Sequence, residues 1–299
     1  MSRYYKRAQN IGWFVIEVDT TIAGTTGVGN FELRTAGTRN FNVVWGDGTM
    51  DRNVIADITH NYPAAGIYKV AVVGVLPRVF YNVTGDRLKV KKILSFGDVV
   101  WGSFAQAFWG CGITDINGVI SNGQGVTSFQ FTFVGNPIVT IPAGFFDNCP
   151  NVTTFTFCFF GNQIVDIPTG LFDNCTNVTN FAFCFASNIV NTIPAGLFDN
   201  CPLVTDFGRC FANSGLIPNC PSDLFANNPL ANDFTNCFLG STLPTSTYSD
   251  MLVSLDANNA NTNVPFHGGS STYTGAAAIA ARANLVNVKG WIITDGGQV

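Results

Sequence analysis

Charged residues are scarce in this sequence. Only 11% of the 299 residues are charged, and the formal net charge is −4. No block of like charges is present, which argues against binding to nucleic acid or to an anionic membrane surface. No apolar run reaches the roughly 18 residues that span a bilayer, so membrane insertion is not expected either.

Histidine is also rare, and the spacings typical of catalytic or metal sites are missing. The sequence holds two histidines, His60 and His267, and no C-x-x-C pair. It has no G-x-S-x-G, no P-loop and no histidine beside a candidate nucleophile. We therefore expect no enzymatic activity, no cofactor and no metal site.

The N-terminus lacks the apolar core of a secretory signal, because "WFVIEV" is short and is interrupted by Glu17. This predicts a protein that is made in the cytoplasm and reaches the outside only within an assembled particle. The first seven residues carry three basic and two aromatic side chains. They predict either a solvated tail or an arm that docks on a neighbouring subunit.

Glycine (31 residues) and phenylalanine (27 residues) are abundant instead, which is typical of a β-rich and turn-rich chain. From Phe31 onward, short alternating segments are separated by turn signals, a spacing that favours a small antiparallel sandwich. We expect Trp45 to fill its core, Asp47 to occupy a tight turn and His60 to make a local hydrogen bond.

The same segment carries a motif that runs W-G-D-G, then H-x-Y, then G-x-Y-x-V. It begins at Trp45 and ends with Tyr68 and Val70. The motif resembles that of the PKD-type immunoglobulin-like domains over about 50 residues. The resemblance implies an immunoglobulin-like sandwich that acts as a spacer or a binding module.

A repeat dominates the second half of the chain. Shifting the sequence against itself by 26 residues superimposes columns of phenylalanine, cysteine, aspartate and proline. The main columns are Phe129, Phe155, Phe181 and Phe207; Phe133, Phe159, Phe185 and Phe211; Cys149, Cys175 and Cys201; and Cys158, Cys184 and Cys210. A further copy follows after 27 residues, with Asn228 in place of the first cysteine. About six rungs are readable between residues 100 and 240.

Each unit predicts a turn, a short helical or irregular arc and a strand in which phenylalanines alternate with smaller residues. The spacing F-x-x-C-x-x-V-x-x-F-x-F resembles the BspA-like leucine-rich repeats of microbial surface proteins. The expected fold is therefore mainly β: an Ig/PKD-like β-sandwich followed by an LRR-like solenoid with a small α/β C-terminal cap. The resemblance implies an interaction scaffold.

Three readings of the cysteines are open: stacked structural thiols, disulfides, or a metal site. Cys149, Cys175 and Cys201 are expected as small buried residues. The second column, continued by Cys237, alternates with phenylalanine, so we expect it to face the opposite surface of the sheet.

That opposite surface is the candidate binding face. It presents Thr154, Thr156, Asn180 and Asp206, which suit close approach by a carbohydrate or another protein. An ordinary solvated sheet face is the alternative. Arg209 interrupts the column of Phe157 and Phe183, so the aromatic spine is expected to end there.

The repeated carboxylates Asp147, Asp173 and Asp199 could suggest glycoside cleavage. Because they recur in every unit, turn or cap bonding is the simpler explanation.

After Pro244 the pattern predicts a helix, a strand, an alanine-rich helix and a final strand. The domain boundaries expected are 1–30 for an N-terminal arm and strand, 31–97 for the sandwich, 98–243 for the repeats and 244–299 for a cap. The segment "GGSSTYTGAAAIAARANLVNVKGWIITDGG" is similar to the C-termini of tailed-phage fibres and other virion surface proteins.

These features together suggest a non-enzymatic tail fibre, receptor-binding or decoration protein on the virion surface. Its expected partners are other virion proteins and a host-surface glycan or protein, with several copies or a homo-oligomer on each particle. A bacterial cell-surface adhesin is the second hypothesis, and a glycan-processing enzyme is the third.

Overall fold

The computed structural model describes residues 12–299 and consists mainly of short strands and turns. The solvated tail or docking arm predicted for the first seven residues lies outside the described residues. The strands are β1 (Phe14–Asp19), β2 (Asn30–Leu33), β3 (Asn40–Val44), β4 (Met50–Val54), β5 (Ile58–Asn61), β6 (Ile67–Val75), β7 (Val90–Ser95), β8 (Asp115–Ile116), β9 (Gly215–Leu216), β10 (Ser241–Thr242), β11 (Pro265–His267) and β12 (Ile292–Thr294). The helices are α1 (Thr245–Asn258) and α2 (Ala276–Asn287), and a 3₁₀ turn spans Arg87–Lys89.

The N-terminal part is built on a six-stranded sheet in the order β4-β3-β6-β1-β7-β8. β1 lies inside this sheet and pairs antiparallel with both β6 and β7. The antiparallel pair β2–β5 contributes Phe31 and Leu33 to the same core as the sheet. Trp45 and Tyr62 are buried in that core. Gly46 turns the chain after β3 with a φ of 91°, and a Cβ there would lie 2.7 Å from the Lys69 carbonyl oxygen.

The prediction of a leucine-rich-repeat-like solenoid was wrong. Between residues 117 and 244 the described chain has no helix, and its strands are the two-residue β9 and β10. Neighbouring rungs meet instead through isolated parallel bridges, such as Thr154 with Asn180. The sheets are too small for the continuous parallel sheet of that fold.

The physical reason lies in the middle of each expected strand. Phe157 and Phe183 have left-handed backbones, with φ of 57° and 58°. A strand cannot continue through such a residue, so the chain turns. The Cys158 amide then bonds back to the Phe155 carbonyl at 2.9 Å. The period-two pattern is therefore produced by a turn and not by an extended strand.

These turn-rich units, here called the repeat stack, still pile up with a period of 26 or 27 residues. Backbone amides of one rung bond to carbonyls of the next, as from Phe155 to Asn180 at 3.0 Å. Buried phenylalanine rings stack in line with the bonds: Phe155 and Phe181 lie 5.5 Å apart and nearly parallel. Phe207 continues the column 5.9 Å beyond Phe181.

Buried asparagines join the rungs on the inside. The Asn162 amide donates to the carbonyls of Phe133 and Phe159 at 2.8 and 2.9 Å, and its oxygen accepts from the Ile138 amide. Asn188 repeats the arrangement one rung later. Each such side chain satisfies backbone groups that the turns leave unpaired.

The C-terminal segment covers the far end of the repeat stack. Phe234 of the last rung bridges to Phe266 in β11, and its ring lies 6.1 Å from the ring of Trp291. The two predicted helices and the two predicted strands are confirmed in position.

Candidate functional site

Thr156, one of the four predicted binding residues, lies beside a line that holds the other three and that is here called the polar ridge. The polar ridge consists of one residue from each rung: Ser128, Thr154, Asn180, Asp206 and Asp233. Each residue bridges to the next, and its side-chain oxygen accepts the backbone amide two positions later. This turn bonding explains why small oxygen-bearing side chains recur at the position.

Further bonds run along the polar ridge itself. The Thr156 hydroxyl donates to the Asn180 side-chain oxygen at 2.8 Å, and the Asn180 amide donates to an Asp206 oxygen at 2.7 Å. The half-buried threonine and asparagine side chains are thus held by their neighbours. The line ends in two carboxylates, Asp206 and Asp233, whose oxygens retain accepting capacity.

Beside the polar ridge runs a second line of side chains, here called the aromatic stripe: Trp109, Phe131, Phe157 and Phe183. Their rings stack nearly parallel at centroid distances of 4.8, 4.8 and 4.1 Å. All four side chains are partly open to solvent, unlike the fully buried columns of Phe155 and Phe159.

The backbone is left-handed at three of the four residues of the aromatic stripe and at Arg209, which takes the stripe position in the next rung. Phe131, Phe157, Phe183 and Arg209 have φ between 55° and 58°. A non-glycine residue in this region is uncommon and costs about 1–2 kcal/mol. The turn directs these side chains outward while Cys158 and its equivalents point inward. The prediction that the second cysteine column faces an outer surface was therefore wrong, since all of its members are fully buried.

A surface depression of about 220 Å³ lies where the aromatic stripe meets the carboxylate end of the polar ridge. It is lined by Ala182, Phe183, Asp206, Gly208, Arg209, Asp233 and Thr235. The Arg209 guanidinium lies 5.2 Å from the centre of the Phe183 ring, in cation–π contact. Arg209 makes no ion pair with any residue between 12 and 299.

The electrostatics of the depression centre on Asp206. Burial raises the pKa of this carboxyl, and the nearby Asp233 carboxylate raises it further, against the lowering effect of bonds from the Gly208 amide and Asn180. A desolvated carboxylate of this kind gains from a hydrogen-bond donor brought by a ligand.

The predicted structural residues of the N-terminal sheet form a separate cluster. The His60 ring stacks on Trp45 at 4.7 Å, and Tyr68 stacks on Tyr62 at 3.9 Å. His60 Nε2 lies 2.8 Å from an Asp47 oxygen. Burial raises the pKa of Asp47, but bonds from Thr49 and His60 outweigh this and lower it. The polar groups of Asp47, Thr49 and His60 hold the turn.

The cysteines do not form a reactive or metal-binding centre in the described part of the chain. All nine are free and buried. Burial raises the pKa of Cys149 and of Cys201 to about 12, and that of Cys175 also rises. No three His, Cys, Asp or Glu side chains between residues 12 and 299 are grouped so that they could hold a metal ion.

Comparison with family models finds no match to this sequence, and comparison with curated proteins finds none either. Among the described helices, neither is long and apolar enough to cross a membrane.

The sequence indicated the line of Thr154, Asn180 and Asp206 but did not indicate that Phe183, Asp233 and Thr235 line the depression. Asp233 was not placed in the column of Asp206 because the last copy is offset by 27 residues instead of 26. Phe183 was assigned to the buried spine, since nothing in an alternating pattern shows a left-handed backbone. The signal for Arg209 was present, as an arginine in a phenylalanine column.

Proposed function

We propose that this protein is a non-enzymatic structural and adhesive component of a phage particle, which presents the outer face of its repeat stack for contact with a host surface or a neighbouring subunit. The observation that carries the proposal is the aromatic stripe. Four stacked aromatic side chains are kept partly exposed, three of them at a left-handed backbone position, although the core already has two complete phenylalanine columns.

Exposed aromatic and arginine side chains are the residue types enriched at recognition surfaces. The support under them is stiff, because backbone bonds, asparagine side chains and ring stacks tie each rung to the next. Stiffness lowers the entropy cost of binding a partner. A line of equivalent positions also suits a surface that is displayed in many copies.

The sequence supports the particle assignment by the resemblance of the C-terminal segment to those of phage fibre and virion surface proteins. The direct test is mass spectrometry of particles purified from the source of the gene, followed by immunogold electron microscopy. We expect the chain in the particle fraction at stoichiometric amounts, with label on the head or tail. Recovery of the chain only in a cell-envelope fraction would instead support the adhesin alternative and overturn this proposal.

A further inference from the structure

The depression beside Arg209 coincides with three departures from the repeat. The polar ridge changes from serine, threonine and asparagine to aspartate at Asp206 and Asp233. The aromatic stripe changes from phenylalanine to Arg209. The next column changes from Thr156 through Ala182 to Gly208, so that the side chain disappears.

The repeat stack does not need these changes. The backbone of Arg209 has the same left-handed conformation as that of Phe183. Gly208 has no positive φ, and a Cβ there would meet mainly the end of the flexible Asp206 side chain, at 3.0 Å. The residues of the preceding rungs would therefore fit at these positions. Loss of a side chain and gain of charges at one place indicate selection for a ligand rather than for packing.

We infer that this depression binds one ring of a neutral saccharide. The inference rests on the proposed function and deepens it, because it names the chemistry of the surface that is contacted.

The lining combines the groups that a neutral sugar requires. The carboxylates of Asp206 and Asp233 accept hydrogen bonds from hydroxyls, and the Arg209 guanidinium donates to hydroxyl or ring oxygens. Phe183, Ala182 and Gly208 form an apolar wall and floor against which C–H groups pack. An anionic ligand is disfavoured by the two carboxylates, and the Arg209 guanidinium offsets part of their attraction for a cationic ligand.

The Asp206 oxygens have one protein partner each, the Gly208 amide at 2.7 Å and the Asn180 amide at 2.7 Å. One oxygen of Asp233 accepts from the Thr235 amide at 2.8 Å, and no bond to its second oxygen is present among the described residues. The carboxylates are therefore positioned by the chain and retain lone pairs directed at solvent. Such preorganised acceptors favour binding of adjacent hydroxyls of a pyranose ring.

The test uses saturation-transfer difference NMR on the full chain. The probes are the methyl pyranosides of glucose, galactose and mannose, together with N-acetylglucosamine. Protonated glucosamine serves as the cationic comparison and glucuronate as the anionic one. We expect transfer to at least one neutral glycoside and none to the two charged sugars.

The variants return the depression to the residues of earlier rungs. Gly208→Thr fills the floor with the side chain found at Thr156, and Arg209→Phe restores the stripe residue found at Phe183. Asp206→Asn copies Asn180. Each of these three substitutions should weaken binding of the neutral glycoside at least about tenfold, which is a loss of about 1.4 kcal/mol in binding free energy. Gln130→Thr is the matched control, because it places the same side chain at the equivalent position three rungs away and should bind like the unchanged chain.

Thermal unfolding of each variant separates loss of the site from loss of the fold. The inference is overturned if no neutral glycoside binds, if a charged sugar binds better, or if folded Gly208→Thr binds as well as the unchanged chain. If the chain is present in purified particles but no glycoside binds, this inference fails while the proposed function stands.

Discussion

At the scale of single residues, the buried asparagines show how the repeat stack uses a polar side chain as a structural bond. Asn162 serves three carbonyls and one amide that come from two rungs. Its burial is almost complete, at 6% exposure, so water cannot replace those bonds. An apolar residue of similar size could fill the space but could not pair the backbone groups.

Replacing Asn162 with alanine should lower the free energy of unfolding by about 2–4 kcal/mol, because several buried backbone groups lose partners and a cavity is left. Urea denaturation measures the free energy of unfolding of the variant and of the unchanged chain. The matched control is Asn177→Ala, since that exposed amide makes a single bond to the Pro150 carbonyl at 2.9 Å. Equal losses for the two variants would contradict the role given to the buried asparagines.

The cysteines give a second prediction at this scale. Burial raises the pKa of Cys149 to about 12, and burial also raises the pKa values of Cys158 and Cys184 well above the ordinary thiol value. The thiolate, which is the reactive form, is therefore suppressed at neutral and mildly alkaline pH. We expect essentially no reaction with Ellman's reagent at pH 8 in the folded protein, and reaction of all nine thiols in guanidinium chloride. Rapid labelling of two or more thiols in the folded chain would contradict the packing described.

At the scale of elements, a buried ion pair fastens the loop before β2 to the 3₁₀ turn before β7. Asp86 and Lys89 are both fully buried, with 3.2 Å between Nζ and the carboxylate. Asp86 accepts bonds from the amides of Thr26 and Glu32, and Lys89 donates to the carbonyls of Gly27 and Asn30. The ion pair therefore holds in place the loop before β2, whose residues belong to no strand.

Asp86→Asn should destabilise the protein by about 3–5 kcal/mol at pH 7, because it leaves the lysine charge buried and unpaired. Burial raises the pKa of Asp86, but bonds from Thr26, Glu32 and Lys89 outweigh this and lower it. The stabilisation is therefore present above the unfolded value of about 3.9 and is lost as the pH falls through the lower folded value. The difference in the free energy of unfolding between Asp86→Asn and the unchanged chain should become smaller at pH 2.

Asp115→Asn is the matched control for that prediction. Asp115 pairs with Lys92 at 3.2 Å, but its side chain is 48% exposed. An exposed pair of this kind contributes at most about 1 kcal/mol. Denaturant titrations of Asp86→Asn and Asp115→Asn at pH 7 and pH 2 measure the loss of unfolding free energy in each variant. A pH-independent effect of Asp86→Asn would show that the charge of the pair is not what stabilises the loop.

At the scale of the whole molecule, the sheet, the repeat stack and the C-terminal segment share one continuous core. The Phe96 ring lies 5.4 Å from Phe145, and Phe104 stacks on Phe129 at 5.1 Å. Trp101 lies 4.8 Å from Phe104 and 5.2 Å from Phe14 in β1. The contact region between the N-terminal sheet and the repeat stack is therefore built from buried aromatic rings, as the cores of the sheet and of the stack are.

We expect thermal unfolding to be a single transition, with tryptophan fluorescence and far-UV circular dichroism changing together. Trp101→Ala should lower the free energy of unfolding by about 3–5 kcal/mol and separate the two signals, because it opens a cavity in this contact region. Trp109→Ala, in the partly exposed aromatic stripe, is the control and should leave one transition. Two transitions in the unchanged chain would contradict the shared core.

The sequence by itself was sufficient to establish the repeat, its period and its columns. Identical residues that must stack on one another leave a visible spacing. It also indicated the helices of the C-terminal segment and the strands of the sheet, whose patterns are local. The line of Thr154, Asn180 and Asp206 follows from the repeat alone, since residues one period apart lie side by side.

Only the tertiary structure decided which way the alternating residues face and what kind of fold the repeat builds. Phe181, Phe183 and Phe185 look alike in a strand pattern, yet the left-handed backbone at Phe183 turns that ring outward and Cys184 inward. A pattern of residue types carries no sign of φ when the residue is not glycine. For that reason the solenoid prediction was wrong, and the depression that joins Phe183, Arg209 and Asp233 appears only in three dimensions.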